Sequence, residues 1–215
     1  LTHAALALLR ERPVLLRTRQ HPVAHAFPEA AQWEACDDLY ESAATFEQVY
    51  DAIVARVLQR AKETPLVYAV PGHPLVGEAT VRRLLVDAPS HGISYTVVPG
   101  LSFIDAALPL LGIDALASNL QIVDALELVS CAESMPFSGG CWPLSPLRPA
   151  LLGQVYDRSI ASHVKLVMQR LYPAETPIQL IRAAGSPQAH VLQAMLYELD
   201  HYDVDATTAV FVPAL

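Results

Sequence analysis

Two short stretches hold residues whose types and order could meet a small ligand. VYAVPGHPLVGEAT (67–80) runs four apolar residues into Pro71-Gly72-His73-Pro74, then Gly77, before a helical pattern begins. VVPGLSF (97–103) repeats the device, with Pro99-Gly100 directly after an apolar run and Ser102 placed to cap the next helix. Gly72 allows backbone angles that other residues avoid, and Pro71 and Pro74 stiffen the turn around it. Such a loop exposes main-chain N–H and C=O groups that neither strand nor helix uses. In an open parallel sheet, ligands bind past the carboxyl ends of the strands, where both loops would fall. Either loop alone reads more readily as an ordinary strand-to-helix turn, and only as a pair on one sheet edge does the ligand reading draw level with it. His73 stays open between a turn residue bonded to its own backbone and a ligand contact.

Other chemistries have less support. Walker A, GxSxG and HExxH patterns are absent. His21 and His25 are four apart with Pro22 between them and no third ligand, so they read as surface residues. Asp37, Asp38, Glu41, Glu47 and Asp51 resemble a metal cluster, but an acidic approach to a helix N-terminus and a solvated face explain them. Cys36 has no histidine assigned beside it and reads as a small buried residue. The sequence therefore names no catalytic residue and no metal ligand.

The elements around the loops alternate. LTHAALALLRER is helical, with Thr2 as N-cap and Pro13 as its stop, and VLLRT (14–18) and WEAC (33–36) follow as strands. Residues 45–63 form the clearest helix, with Phe46, Val49, Tyr50, Ile53, Val54, Val57, Leu58 and Ala61 in one apolar stripe and Thr45 and Gln48 as a capping box. PLVYAV (65–70) is a buried strand, GEATVRRLLVDA (77–88) a helix, PSHG (89–92) a turn, ISYTVV (93–98) a strand and SFIDAALPLLG (102–112) a helix. Strands joined by helices argue for a parallel sheet covered on both faces.

The second half differs. LQIVD (120–124), LLGQV (151–155), PIQLIRA (177–183), HVLQAML (190–196) and TAVFVP (208–213) read as strands, with one helix at 158–172. That pattern implies a mixed sheet and a second domain. The expectation is an α/β chain with a mostly parallel N-terminal sheet over 1–116 and a mixed C-terminal sheet over 117–215. Residues 130–149, rich in Pro, Ser and Gly, read as a long loop.

The bulk numbers bound the partners. At 215 residues, 53% hydrophobic and 17% charged, the chain buries a sizeable core. Its mean hydropathy is +0.30. The longest apolar stretch, 97–113, is broken by Asp105, two prolines and two glycines, so no membrane span is expected. No secretion signal opens the sequence, and three cysteines without CxxC spacing fit a reducing cytoplasm. A net charge of −8, from 14 basic and 22 acidic residues, argues against nucleic acid.

Taken together, VYAVPGHPLVGEATV, VVPGLSFIDAALPLLGID, QVYDRSIASHVKLVMQRLYP and IRAAGSP resemble the tetrapyrrole (corrin/porphyrin) methylase family over essentially the whole chain. LRTRQHP and DDLYESAATFEQVYDAI are similar to the branch fused to MazG nucleotide pyrophosphohydrolases. The resemblance implies two α/β domains with S-adenosylmethionine (SAM) in the cleft between them, a small-molecule methyl acceptor, and a homodimer. It implies Pro71, Gly72, His73, Leu75, Val76, Gly100, Leu101, Ser102 and Phe103 as cofactor residues, with Tyr156, Ala184 and Thr208 from the second domain. The alternative is a non-catalytic module that dimerises, or senses a ligand for an attached pyrophosphohydrolase. Many family methylases carry Gly-Asp-Pro where this chain has Gly72-His73-Pro74. The family also opens with a strand and a glycine-rich loop leading into its first helix, whereas Leu1 already falls within that helix. The absent strand would sit between 65–70 and 93–98, which should then pair directly or be bridged by something else.

Overall fold

The computed structural model describes residues 1–21, 24, 27–42, 45–134 and 144–215. His25 and Cys141 lie outside the described residues, as does the middle of the stretch at 130–149. The chain divides into two compact units, Leu1–Ser102 and Phe103–Leu215.

In the first unit, helix α1 (His3–Glu11) starts at Thr2, whose hydroxyl oxygen accepts from the Ala5 amide and donates to the Pro99 carbonyl. Strands β1 (Val14–Leu16), β2 (Glu34–Ala35) and β3 (Val67–Ala69) form a parallel sheet in the order β2-β1-β3. A short helix, α2 (Asp37–Ser42), follows β2, and α3 (Phe46–Glu63) is the long helix. One face of α3 presents Val49, Ile53 and Val57 to Leu15 and Cys36. Its flank at Val54 and Leu58 packs on Ala88 and Leu84 of α4 (Ala79–Ser90). Thr45 caps α3 by accepting from the Gln48 amide at 3.3 Å. Phe46 departs from the expected stripe: it is 61% exposed, with its ring stacked on Tyr50.

Two readings of this half are corrected. Residues 93–98 form no strand, and among the described residues β3 pairs with β1 alone. The run is β-branched and alternates, but a strand needs a neighbour, and Ser94, Tyr95 and Thr96 are exposed. The run neither closes onto β3 nor gains a bridging strand. The turn at 89–92 is shortened as well, because α4 carries Pro89 within its last turn and ends at Ser90.

In the second unit, β4 (Gln121–Asp124), β5 (Ala150–Gly153), β6 (Pro177–Arg182), β7 (His190–Met195) and β8 (Thr208–Val212) form a mixed sheet in the order β4-β5-β8-β6-β7. β4 and β5 are parallel, and the other pairings are antiparallel. Successive residues face opposite layers, as the pleat requires. Leu152, Leu180 and Val210 meet α6 (Ala125–Ser134) and α7 (Arg158–Met168) through Leu128, Ala161, Val164 and Met168. Leu151, Ile181 and Ala209 face α5 (Phe103–Leu111) through Phe103 and Ala107. Packing thus assigns α5 to the second unit, and the division falls at Ser102/Phe103 instead of after residue 116. Helix α6 occupies the start of the stretch read as loop. Asp124 accepts from the Leu126 amide at 2.9 Å at its head.

Among the described residues, no helix is long and apolar enough to cross a membrane.

Candidate functional site

The loop at 71–77 leaves the carboxyl end of β3. Gly72 and Gly77 have φ of 79° and 65°, so the chain reverses twice through left-handed backbone that side chains disfavour. His73 anchors the turn between them. Its Nδ1 accepts from the Leu75 amide at 3.1 Å, and its carbonyl accepts from the Val76 amide at 3.0 Å. The accepting Nδ1 leaves Nε2 of the neutral ring to carry the proton. His73 thus bonds its own turn through one ring nitrogen and its carbonyl.

The second loop meets the first. A Cβ built on Gly100 would lie 2.3 Å from the Gly72 carbonyl oxygen, and one on Gly72 would lie 3.7 Å from the Leu101 carbonyl oxygen. Backbone therefore packs on backbone, and only glycine fits at 100. Leu75 and Leu101 project from the pair, 55% and 59% exposed, while Ser102 is buried. Pro71, Gly72, His73, Leu75, Val76, Gly100, Leu101 and Ser102 thus gather at the carboxyl edge of the parallel sheet. They offer main-chain donors and acceptors beside two apolar side chains, the mixture found in small-molecule sites.

The other predicted residues lie in the second unit. The Phe103 ring packs where a Gly153 side chain would be, with a Cβ there 2.8 Å from it, and Ala184 borders the same cluster. Tyr156 follows β5, Ala184 follows β6 and Thr208 opens β8, so all three stand at one edge of the mixed sheet. Non-glycine left-handed residues mark this edge, Gln154 at φ 67° and Ala183 at φ 50°. The Thr208 hydroxyl is engaged locally, accepting from the Asp205 amide at 3.0 Å and donating to the Asp205 carboxylate. Burial opposes ionisation of Asp205. Hydrogen bonds from Thr207 and Arg182 outweigh it and hold the carboxyl down at about 2.

The acidic cluster resolves into ion pairs. Arg56 forks onto Asp38 at 2.7 and 2.6 Å and holds its carboxyl below the usual range. Asp37 accepts from the Thr18 hydroxyl and the Arg19 amide. Arg83 bridges Glu47 and Asp51 across α4 and α3. Burial pushes the Cys36 thiol up to about 11, against the nearby Arg56. An open groove of about 390 Å³ between α3 and α4, lined by Asp51, Val54, Leu58, Lys62, Asp87 and His91, includes none of the predicted ligand residues.

One polar group escaped sequence reasoning. Arg17, at the end of β1, faces Glu78 with Nε 3.1 Å from a carboxylate oxygen, although that N–H is not aligned as a hydrogen bond. Its guanidinium donates to the Tyr40 hydroxyl at 3.3 Å. Thr80 links Tyr68 to Glu78, its hydroxyl 2.8 Å from the Tyr68 hydroxyl and donating to the Glu78 carboxylate at 2.7 Å. The available signals were one hydroxyl in an apolar strand and a glutamate heading the next helix.

The model of the Tetrapyrrole (Corrin/Porphyrin) Methylases matches residues 1–200, and the chain belongs to that family. It is 32% identical over 210 residues to the uncharacterized protein YabN of Bacillus subtilis, covering 97% of this chain but 40% of that protein. The chain thus spans about two fifths of the length of that relative. Its fold is similar to uroporphyrin-III C-methyl transferase from Thermus thermophilus complexed with S-adenyl homocysteine, at TM-score 0.66 and 20% identity over 99% of this chain and 90% of that one. It is similar to the cobalt precorrin-4 methyltransferase CbiF at TM-score 0.68 and 16% identity, over 99% and 88% of the two chains. Diphthine synthase gives TM-score 0.67 and 16% identity over 100% and 84%.

Proposed function

We propose that the chain is a SAM-dependent methyltransferase of the tetrapyrrole-methylase type acting on a small molecule. The observation that carries this reading is the meeting of the two Pro-Gly loops, with Gly100 against the Gly72 carbonyl and Leu75 and Leu101 exposed beside them. Pro71, Gly72, His73, Leu75, Val76, Gly100, Leu101 and Ser102 would hold the cofactor, with Phe103, Tyr156, Ala184 and Thr208 as proposed cofactor residues of the second unit. Bound SAM supplies a methyl group on a positively charged sulfur, a good leaving group. The chain's own task is then to orient donor and acceptor and to keep water out, an effect that is worth on the order of 7–11 kcal/mol at its best. Backbone groups of 72–76 and 100–101 fix orientation, and Leu75 and Leu101 exclude water. Calorimetric titration with SAM tests this: saturable binding that Gly100→Ala weakens supports the reading, and no heat at millimolar SAM removes it.

A second reading is a methylase-like module that dimerises or senses a ligand for an attached MazG-type pyrophosphohydrolase. It is favoured by the match to only 40% of the longer YabN. A homodimer is part of either reading, and sedimentation at micromolar concentration distinguishes it from a monomer.

A further inference from the structure

The loop at 71–77 hangs between two stems, strand β3 before it and helix α4 after it. Glu78 stands at the N-cap position of α4, where a carboxylate ordinarily bonds the first free amides of the helix. Here its side chain makes no such bond. It turns inward instead, its side chain 5% exposed, to meet Arg17 and the Thr80 hydroxyl. Thr80 is fully buried and spends its one proton on Glu78 at 2.7 Å. The 2.8 Å contact between Thr80 Oγ1 and the Tyr68 hydroxyl must therefore be donated by Tyr68. The order is fixed: Tyr68 donates to Thr80, Thr80 donates to Glu78, and Glu78 faces Arg17.

We propose that Tyr68, Thr80, Glu78 and Arg17 form a clamp that positions the 71–77 loop by tying its two stems together. Tyr68 lies on β3 and Glu78 and Thr80 lie at the head of α4, so the chain of hydroxyls crosses the base of the loop. Arg17 secures it to a third element, since its amide donates to the Ala69 carbonyl at 2.9 Å, on the residue next to Tyr68. A buried carboxylate is costly without partners, so the α4 terminus is confined to the place where Arg17 and Thr80 reach it. A loop with fixed stems has less freedom to lose when it orders around a ligand. These are positioning residues, and their importance for SAM rests on the cofactor reading above.

The test compares Thr80→Val, which keeps the shape and loses the hydroxyl, with Thr80→Ser, which keeps the hydroxyl. Hydrogen exchange without ligand is followed at the Leu75 and Val76 amides, both bonded within the loop, and at the Ile53 and Val57 amides inside α3 as reference. Thr80→Val is expected to exchange roughly tenfold faster at the loop amides with the α3 amides unchanged, and Thr80→Ser to stay near the parent. Loop amides that exchange alike in all three overturn the clamp, as does Thr80→Ser behaving like Thr80→Val. If Thr80→Val does not fold, Tyr68→Phe removes the outer link and keeps the ring, and the same amides decide. SAM titration of the same proteins separates the two claims. A loosened loop in a parent that binds no SAM leaves the clamp standing and removes the cofactor reading. A parent that binds SAM through a loop indifferent to Thr80 does the reverse.

Discussion

Gly100→Ala is the sharpest perturbation of the proposed site. The added Cβ would sit 2.3 Å from the Gly72 carbonyl oxygen, 3.2 Å from the Gly72 carbonyl carbon and 3.4 Å from His73 Cα, and ordinary contact begins at 3.4 Å. All three atoms are backbone, so no side chain can turn aside and the loops must part by about 1 Å. Overpacking of this kind costs about 1–3 kcal/mol. The alanine returns about 0.4–1 kcal/mol by restricting the unfolded chain. Mid-range values leave a net loss of about 1.3 kcal/mol, a fall of roughly 3–5 °C in melting temperature for a chain of this size. Two controls separate crowding from backbone strain. Gly72→Ala has ordinary room but φ +79°, and Gly92→Ala has φ +69° with nothing within 4 Å. Both should cost the about 1–2 kcal/mol of a left-handed side chain. Gly100→Ala and Gly72→Ala should also speed exchange at the Leu75 and Val76 amides, whereas Gly92→Ala, outside the loop, should destabilise the protein and leave that exchange unchanged. The assay is calorimetric melting paired with hydrogen exchange. A Gly100→Ala protein that melts within a degree of the parent, with unchanged loop exchange, would refute the loop contact.

Two further outcomes follow from individual contacts. His73→Ala should loosen the loop and lower the melting temperature by a few degrees, since about 1 kcal/mol rides on the Leu75 amide bond, and His73→Asn should recover much of that; equal melting of all three would remove the turn role. Asp205 is held at about 2 in the fold against about 3.9 unfolded, so its contribution is present above pH 4 and is lost as pH falls toward 2. Its side chain is 49% exposed, which limits that contribution to under about 1 kcal/mol, so urea unfolding of Asp205→Asn should differ from the parent at pH 5 and converge with it near pH 2.

Much of the fold was legible because local pattern and packing agree. The apolar stripe of α3 met a real sheet and a real helix, and the strands of the second unit carried alternation that the pleat uses. What failed was what depends on distant neighbours. ISYTVV has strand residues but no partner strand among the described residues, so its propensity goes unused. Helix α5 follows a first-unit loop in sequence, yet Phe103 and Ala107 are buried by Leu151 and Ile181, and proximity along the chain misassigned it. Helix α6 was hidden by the Pro-rich stretch after it, although Asp124 and Glu127 gave a capping signal. Both Pro-Gly loops were found from composition alone, because few other residues can make such turns. The Arg17–Glu78–Thr80–Tyr68 group was missed because its members join only when β1, β3 and the head of α4 meet.

The central claim, that the two Pro-Gly loops hold SAM, is tested most directly by calorimetric titration of the protein with SAM and with S-adenosylhomocysteine. The account predicts one saturable site per chain for both ligands, weakened several-fold by Gly100→Ala and by Leu101→Asp. Absence of binding at millimolar ligand, or affinity unmoved by either substitution in a folded protein, would contradict it.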